Sequence, residues 1–225
     1  MSQLEIYKGE ILPGLIVQTG VDNSGKTIGV QTLIKRLEEH NIPVAHSKAY
    51  GPREKLIWGP WVDGVLAAKN PMNDFALTWL FHLLHKQQVS RARRDIAQGK
   101  IVVADRWDES FLVYHDRHEP LSKHPNRVNW MWRDAFKGLV AETTIFHDID
   151  PKSARARSKR TSSHNDGFDN LELQYHETMY AGFNELATIR GWHMIDAYQD
   201  IPGVTRQIWD IIAPKYVHGV VGNAS

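Results

Sequence analysis

The stretch VQTGVDNSGKTIGVQ, residues 17–31, carries the chemistry that is simplest to name. Gly20, four intervening residues, Gly25, Lys26 and Thr27 satisfy the pattern G-x-x-x-x-G-K-[ST]. Glycine accepts the positive φ that turns backbone N–H groups inward, and the helix expected to follow adds partial positive charge at its N-terminus. Lys26 then reaches β- and γ-phosphates, Thr27 can ligate Mg²⁺, and Asn23 and Ser24 complete the cradle. The anion this arrangement fits is the polyphosphate of a nucleoside triphosphate. GTPases, ATPases and small-molecule kinases all use such a loop, so the acceptor must be read from other residues.

Two further clusters narrow the choice. In IVVADRWDESFLVYH, Asp105 and Arg106 end an apolar strand, at the sheet edge where open α/β proteins bind ligands. A carboxylate there can hold Mg²⁺ or its water, and the guanidinium can grip a second phosphate in a two-pronged fashion. A strand-end ion pair is the blander alternative. In PKSARARSKRTSSHNDGFDN, Arg155, Arg157, Lys159 and Arg160 precede polar residues with no apolar periodicity. The expectation is a mobile lid, approximately residues 155–168, whose closure brings arginine onto a transferring phosphoryl group. A solvated basic helix end or a nucleic-acid patch is the alternative. No N-K-x-D guanine reader follows the later strands, which end in FHDID and MIDA, so a GTPase is disfavoured.

The elements that must position these groups follow from periodicity. GLIVQTG, IPVAHSK, KIVVAD, ETTIFHDID and WHMIDA predict five strands. Helical spacing follows the phosphate loop at Val30, Leu33, Ile34 and Leu37, and recurs over residues 73–99, 170–191 and 202–215. Strands alternating with helices imply an α/β fold: a doubly wound parallel five-stranded sheet with helices on both faces. Without repeats or linker-like tracts, residues 1–225 are expected to form one domain.

Composition removes other classes. The 27 basic and 26 acidic side chains leave no global field for non-specific nucleic-acid binding, so no nucleic-acid partner is expected. Cysteine is absent, which excludes thiolate nucleophiles, disulfides and cysteine-ligated metals. The opening MSQLEIYKGEILPG contains no long apolar run, so neither a signal peptide nor a membrane span is expected, and a cytoplasmic protein is. His115, Asp116 and His118 lack a tight ligand spacing and are not read as a metal site, and Trp130 and Trp132 are read as packing residues.

Together these motifs resemble the thymidylate kinase family of P-loop nucleoside monophosphate kinases over nearly the whole chain. The family pattern G-x-D-x-x-G-K-[ST] is met by Gly20, Asp22, Gly25, Lys26 and Thr27. Its D-R-[YHW]-x-x-S-x-x-x-Y run is met by Asp105, Arg106, Trp107, Ser110 and Tyr114. The resemblance implies transfer of the γ-phosphate of ATP to the 5′-phosphate of a pyrimidine deoxynucleotide, with Mg²⁺, in a homodimer. It places ATP on Lys26 and the loop amides, metal on Thr27 and Asp105, and the acceptor sugar or a metal water on Asp22. The acceptor phosphate falls to Arg106, the sugar and base pocket to Tyr114, and the catalytic lid arginine to Arg157 or Arg160. The sequence departs from the family where the acceptor base should sit. The R-x-P-G-G segment survives only as SKAYGPREK, with Lys48, Pro52 and Arg53 as loose substitutes. In F-x-x-D-R the aromatic is kept as Phe81, but the arginine becomes His85, so altered base recognition is expected. A kinase acting on a nucleoside or on a base within DNA, or a non-kinase nucleotide switch, are the competing expectations.

Overall fold

Alternation along the strands feeds two separate apolar cores, and this is what fixes the layers. The computed structural model describes residues 7–51, 62, 74–117, 124–161 and 173–217. Its strands are β1 (Glu10–Thr19), β2 (Val44–Lys48), β3 (Ile101–Asp105), β4 (Leu139–Asp148) and β5 (His193–Asp196). They form one parallel sheet in the order β2-β3-β1-β4-β5. The described helices are α1 (Lys26–Glu39), α2 (Asp74–Ala97), α3 (Asp108–Arg117), α4 (Pro125–Phe136), α5 (Pro151–Thr161), α6 (Leu173–Arg190) and α7 (Ile201–Tyr216).

Ile16, Val103, Ile145 and Ile195 point to one face, where Val30, Leu33 and Leu37 of α1 and Ile208 and Ile212 of α7 cover them. Their neighbours Leu15, Val17, Val102, Ala104 and Phe146 point to the other, under side chains of α2, α3, α4 and α6. The period of two along each strand is thereby satisfied on both faces, as a parallel sheet buried between helix layers requires. The expected doubly wound α/β fold is the fold observed. No described helix is long and apolar enough to cross a membrane.

Strand starts and the lid differ from expectation. β1 begins at Glu10 rather than Gly14 and β4 at Leu139 rather than Glu142, because Glu10–Leu12 pairs with Leu139–Ala141 before the register shifts between Leu12 and Ile16. Residues 155–161, the first part of the expected lid, are helical, within Pro151–Thr161. Asp150 accepts the Ser153 N–H at 2.9 Å, Pro151 occupies the first turn, and Lys, Arg and Ala are good helix formers. Buried Ala154 anchors this helix: it packs with Val21, Ile149 and Ala197, so α5 rests against the phosphate loop itself. Residues 162–168 of the expected lid lie outside the described residues.

Candidate active site at the carboxyl edge of the sheet

Strand register gathers the charged groups. Gln18 and Lys48 both pair with Asp105 across neighbouring strands, so β1, β2 and β3 end in one row. The chain leaves β1 through Gly20 (φ 139°), Asn23 (φ 63°) and Gly25 (φ 92°), three positive-φ residues within six. At Gly20 a Cβ would stand 2.9 Å from the His147 carbonyl, so this turn requires glycine. Gly29, one turn into α1, has the same role for packing: a Cβ there would meet Gln18 Oε1 at 2.3 Å and His147 Cε1 at 2.9 Å. That close approach seats the N-terminus of α1 directly on β1 and β4, where His147 Nε2 lies 2.8 Å from Gln18 Oε1.

Within the loop, Lys26 folds back to donate to the Val21 carbonyl at 2.5 Å and to Ser24 Oγ at 3.3 Å. Burial, together with the positive charge of Arg106, pulls the Lys26 ammonium down to about 7. An anion arriving beside it would restore the charge. Thr27 Oγ1 donates to Asp105 Oδ2 at 3.1 Å, and Lys48 Nζ donates to the same oxygen at 2.7 Å. Burial raises the Asp105 carboxyl, but Lys48 and Lys26 outweigh it and hold the group below its usual range.

Arg106 ends β3 in the left-handed region, φ 70°, which aims its side chain back across the loop. Its Nη2 donates to Asp22 Oδ1 at 2.5 Å and its Nη1 to Ser110 Oγ at 3.1 Å. The guanidinium lies 5.8 Å from the Tyr114 ring and 5.9 Å from the Phe183 ring, and Tyr114 donates to Asp22 Oδ2 at 3.3 Å. Burial alone would raise the Asp22 carboxyl, yet the charges of Arg106 and Lys26 bring it to about 2. A cation from the β1 loop and a cation from the end of β3 therefore face a common carboxylate. That is the spacing of charges wanted by two phosphates brought end to end.

Residues 19–208 match the thymidylate kinase family model. The chain belongs to the thymidylate kinase family. It is 29% identical over 195 residues to the thymidylate kinase of Symbiobacterium thermophilum, covering 84% of this chain and 87% of that one. Against the thymidylate kinase of Roseiflexus sp. RS-1 the identity is 27% over 211 residues, with 87% and 91% covered. Against that of Synechococcus sp. JA-3-3Ab it is 24% over 208 residues, with 91% and 98% covered. The protein is a nucleoside monophosphate kinase, a transferase that binds nucleotide.

The remaining residues expected from the resemblance fall into two groups. Phe81 is half-buried on α2. His85, one turn on, is buried, with its ring 6.0 Å from that of Phe111 and 5.0 Å from that of Phe136. Burial draws the imidazole down to about 4, so it is neutral at physiological pH. His85 Nδ1 contacts Gln88 Oε1 at 3.3 Å, and Gln88 donates to the Arg106 carbonyl at 2.9 Å. Arg157 is half-buried on α5, the Arg160 side chain lies outside the described residues, and Pro52 and Arg53 lie outside them too.

Three residues of the site went unread in the sequence. Lys48, expected at the acceptor, has its ammonium on Asp105 in this structure. Gln88 and Phe183 face Arg106 from helices whose apolar periodicity alone does not single them out. Glu109 sits inside the D-R-W-D-E-S run and is 1% exposed. A second acid directly after Asp108, separated only by Ser110 from the apolar run Phe111–Val113, was the available signal.

Proposed function

We propose that the enzyme transfers the γ-phosphoryl group of ATP to the 5′-phosphate of a pyrimidine deoxynucleoside monophosphate, dTMP or a 5-substituted dUMP. An acceptor phosphate oxygen attacks the γ-phosphorus, the bond from that phosphorus to the β–γ bridging oxygen breaks, and ADP leaves with the electron pair. The observation that carries this reading is the placement of Lys26 and Arg106 about Asp22: the lysine lies in the triphosphate loop, the arginine on the adjacent strand end. In this reading Gly20, Asn23, Ser24 and Gly25 cradle ATP, and Lys26 neutralises its terminal phosphates. Arg106 exchanges its bond to Asp22 for the acceptor phosphate. Asp22 and Tyr114 border the sugar, Ser110 steadies Arg106, and Phe81 with His85 shapes the base end.

Thr27 and Asp105 offer hard oxygen donors on one side of the loop, which suits Mg²⁺. When bound, the metal supplies charge neutralisation to the polyphosphate. Lys48 keeps the Asp105 carboxylate ionised for it. Arg157 or Arg160 of the lid, residues 155–168, covers the transferring group. One domain over residues 1–225, a cytoplasmic location and a role in nucleotide biosynthesis complete the reading. A homodimer through α2 is supported by Trp79 and Leu83, exposed one turn apart at 42% and 47%, and by Trp130 beside them.

A coupled ADP-release assay over a panel of deoxynucleoside monophosphates tests the reaction. Lys26→Ala is expected to lower turnover by about two to three decades, the scale of removing one preorganised charge donor, while the fold persists. Turnover within a few-fold of wild type would overturn the assignment of Lys26.

A further inference from the structure

Arg106 owes its orientation to more than Asp22. Its backbone N–H donates to the Gln18 carbonyl at 3.1 Å and its carbonyl accepts from Gln88, which pins both ends of a residue held at φ 70°. The guanidinium is aimed separately. Nη1 donates to Ser110 Oγ, and Ser110 Oγ in turn lies 3.2 Å from Glu109 Oε1, to which it donates. A hydroxyl has one proton to give. When that proton goes to Glu109, the Ser110 oxygen can only accept, and Arg106 Nη1 is the donor facing it.

Glu109 is an expensive way to obtain this. Its carboxylate is buried, and burial followed by the charge of neighbouring Asp108 raises it above the usual range, while the Trp107 N–H and the Thr19 hydroxyl act in the opposite direction. Both carboxylate oxygens lie 3.0 Å from the Trp107 N–H, just ahead of α3. That contact alone does not require a buried charge, since the amide oxygen of a Gln accepts the same N–H. The carboxylate adds an acceptor with no competing donor on the side facing Ser110.

We propose that Glu109 is a positioning residue for the acceptor-phosphate clamp: acting through the Ser110 hydroxyl, it holds Arg106 in the orientation that receives the nucleoside monophosphate. The inference rests on Arg106 being that clamp. Nothing in the family pattern D-R-[YHW]-x-x-S requires an acid at this position.

Glu109→Gln keeps the volume and removes the charge. The expected result is an acceptor KM raised about tenfold, an ATP KM within about twofold of wild type, and a thermal midpoint equal to or above wild type, because a buried charge has gone. Ser110→Ala should raise the acceptor KM similarly, and the double variant should be no worse than the poorer single one, since both act on one chain of hydrogen bonds. An unchanged acceptor KM in Glu109→Gln, equal rises in both KM values, or additive effects in the double variant would overturn the proposal. A readout without turnover separates it from the acceptor assignment. The Arg106 guanidinium ¹⁵N–¹H resonances, identified by their loss in Arg106→Lys, should shift in Glu109→Gln. If they shift but no monophosphate is a substrate, the clamp assignment fails and the relay stands. If they do not shift, the relay fails.

Discussion

Two arginine–aspartate pairs flank Trp107, and they have opposite characters. Asp108 takes both Nη atoms of Arg190, at 3.1 and 2.8 Å, and the Trp132 indole N–H at 2.8 Å. Arg190 spends its other donor and a shared one on the Tyr7 carbonyl. The two side chains are 7% and 2% exposed. In the Arg106–Asp22 pair the side chains are 18% and 37% exposed, and the pair stands at the rim of the phosphate loop. The first pair is closed: both side chains are buried, and it ties Tyr7, α3, α4 and α6 together. The second is open, and in the proposed reaction its arginine would trade a carboxylate for a phosphate at little cost. On that reading residue type does not distinguish a structural ion pair from a working one; closure and position relative to the sheet edge do.

The largest effect should come from opening the closed pair. Arg190→Met leaves Asp108 buried with its charge unmatched, and breaking such a pair costs about 3–5 kcal/mol. Chemical denaturation should show that loss, while the protein that remains folded keeps its KM values for both substrates. A loss below about 1 kcal/mol would mean that Asp108 finds water, and the contrast would collapse.

Arg106→Ala attacks the open pair and should invert the pattern. Charged hydrogen bonds contribute about 1.5–3 kcal/mol each, so the acceptor KM should rise by roughly one to two decades and kcat should fall, with ATP affinity nearly kept. Stability should fall far less than in Arg190→Met, because Asp22 can be solvated where it stands. Equal damage to the ATP KM would place Arg106 on the wrong substrate.

The members of the open pair were legible in the sequence and those of the closed pair were not, for a physical reason. Asp22 and Arg106 each belong to a short pattern, a glycine loop and a strand end, whose chemistry is local, although their pairing across 84 residues was not readable. Asp108 and Arg190 are 82 residues apart, and neither was singled out by a local pattern. Long-range register likewise hid the partner of Lys48, since only the pairing of β2 with β3 sets it opposite Asp105. The strands and long helices were readable because the apolar period survives in them. α5 was not, because among its described side chains only Ala154 joins an apolar cluster, and five of its eleven residues are arginine or lysine. Trp130 and Trp132 were both expected to pack, yet two residues apart on a helix they cannot share a face. Trp132 is buried, whereas Trp130 is 55% exposed over His82.

The base end sharpens the comparison, since in the proposed reading neutral His85 stands there where the family resemblance expects an arginine. A bidentate pair to a base edge is worth about 1–3 kcal/mol of discrimination, and one imidazole bond forfeits part of that. The kcat/KM ratio of dTMP to dUMP should therefore stay within about tenfold, and should be flat from pH 6 to 9 because His85, held at about 4, does not titrate there. A preference of several decades, or a ratio that changes through neutral pH, would remove His85 as the base reader.

The smallest expected effect concerns the acid of the open pair. Asp22 sits at about 2, below its ordinary 3.8, chiefly because Arg106 and Lys26 overcome its burial. A depressed carboxyl stabilises the fold above its unfolded pKa and loses that contribution as pH falls through its folded one. The difference in thermal midpoint between wild type and Asp22→Asn should thus be constant from about pH 5 to 7 and shrink between about pH 4 and 2. The corresponding stability difference should be below about 1 kcal/mol, since the side chain is 37% exposed and water screens the pair. A saturating nucleoside monophosphate should abolish even this difference, because Arg106 then bonds phosphate and Asp22 loses its partner in either form. If the difference instead persists at full strength with acceptor bound, Arg106 keeps its grip on Asp22 during turnover, and the open pair is as structural as the closed one.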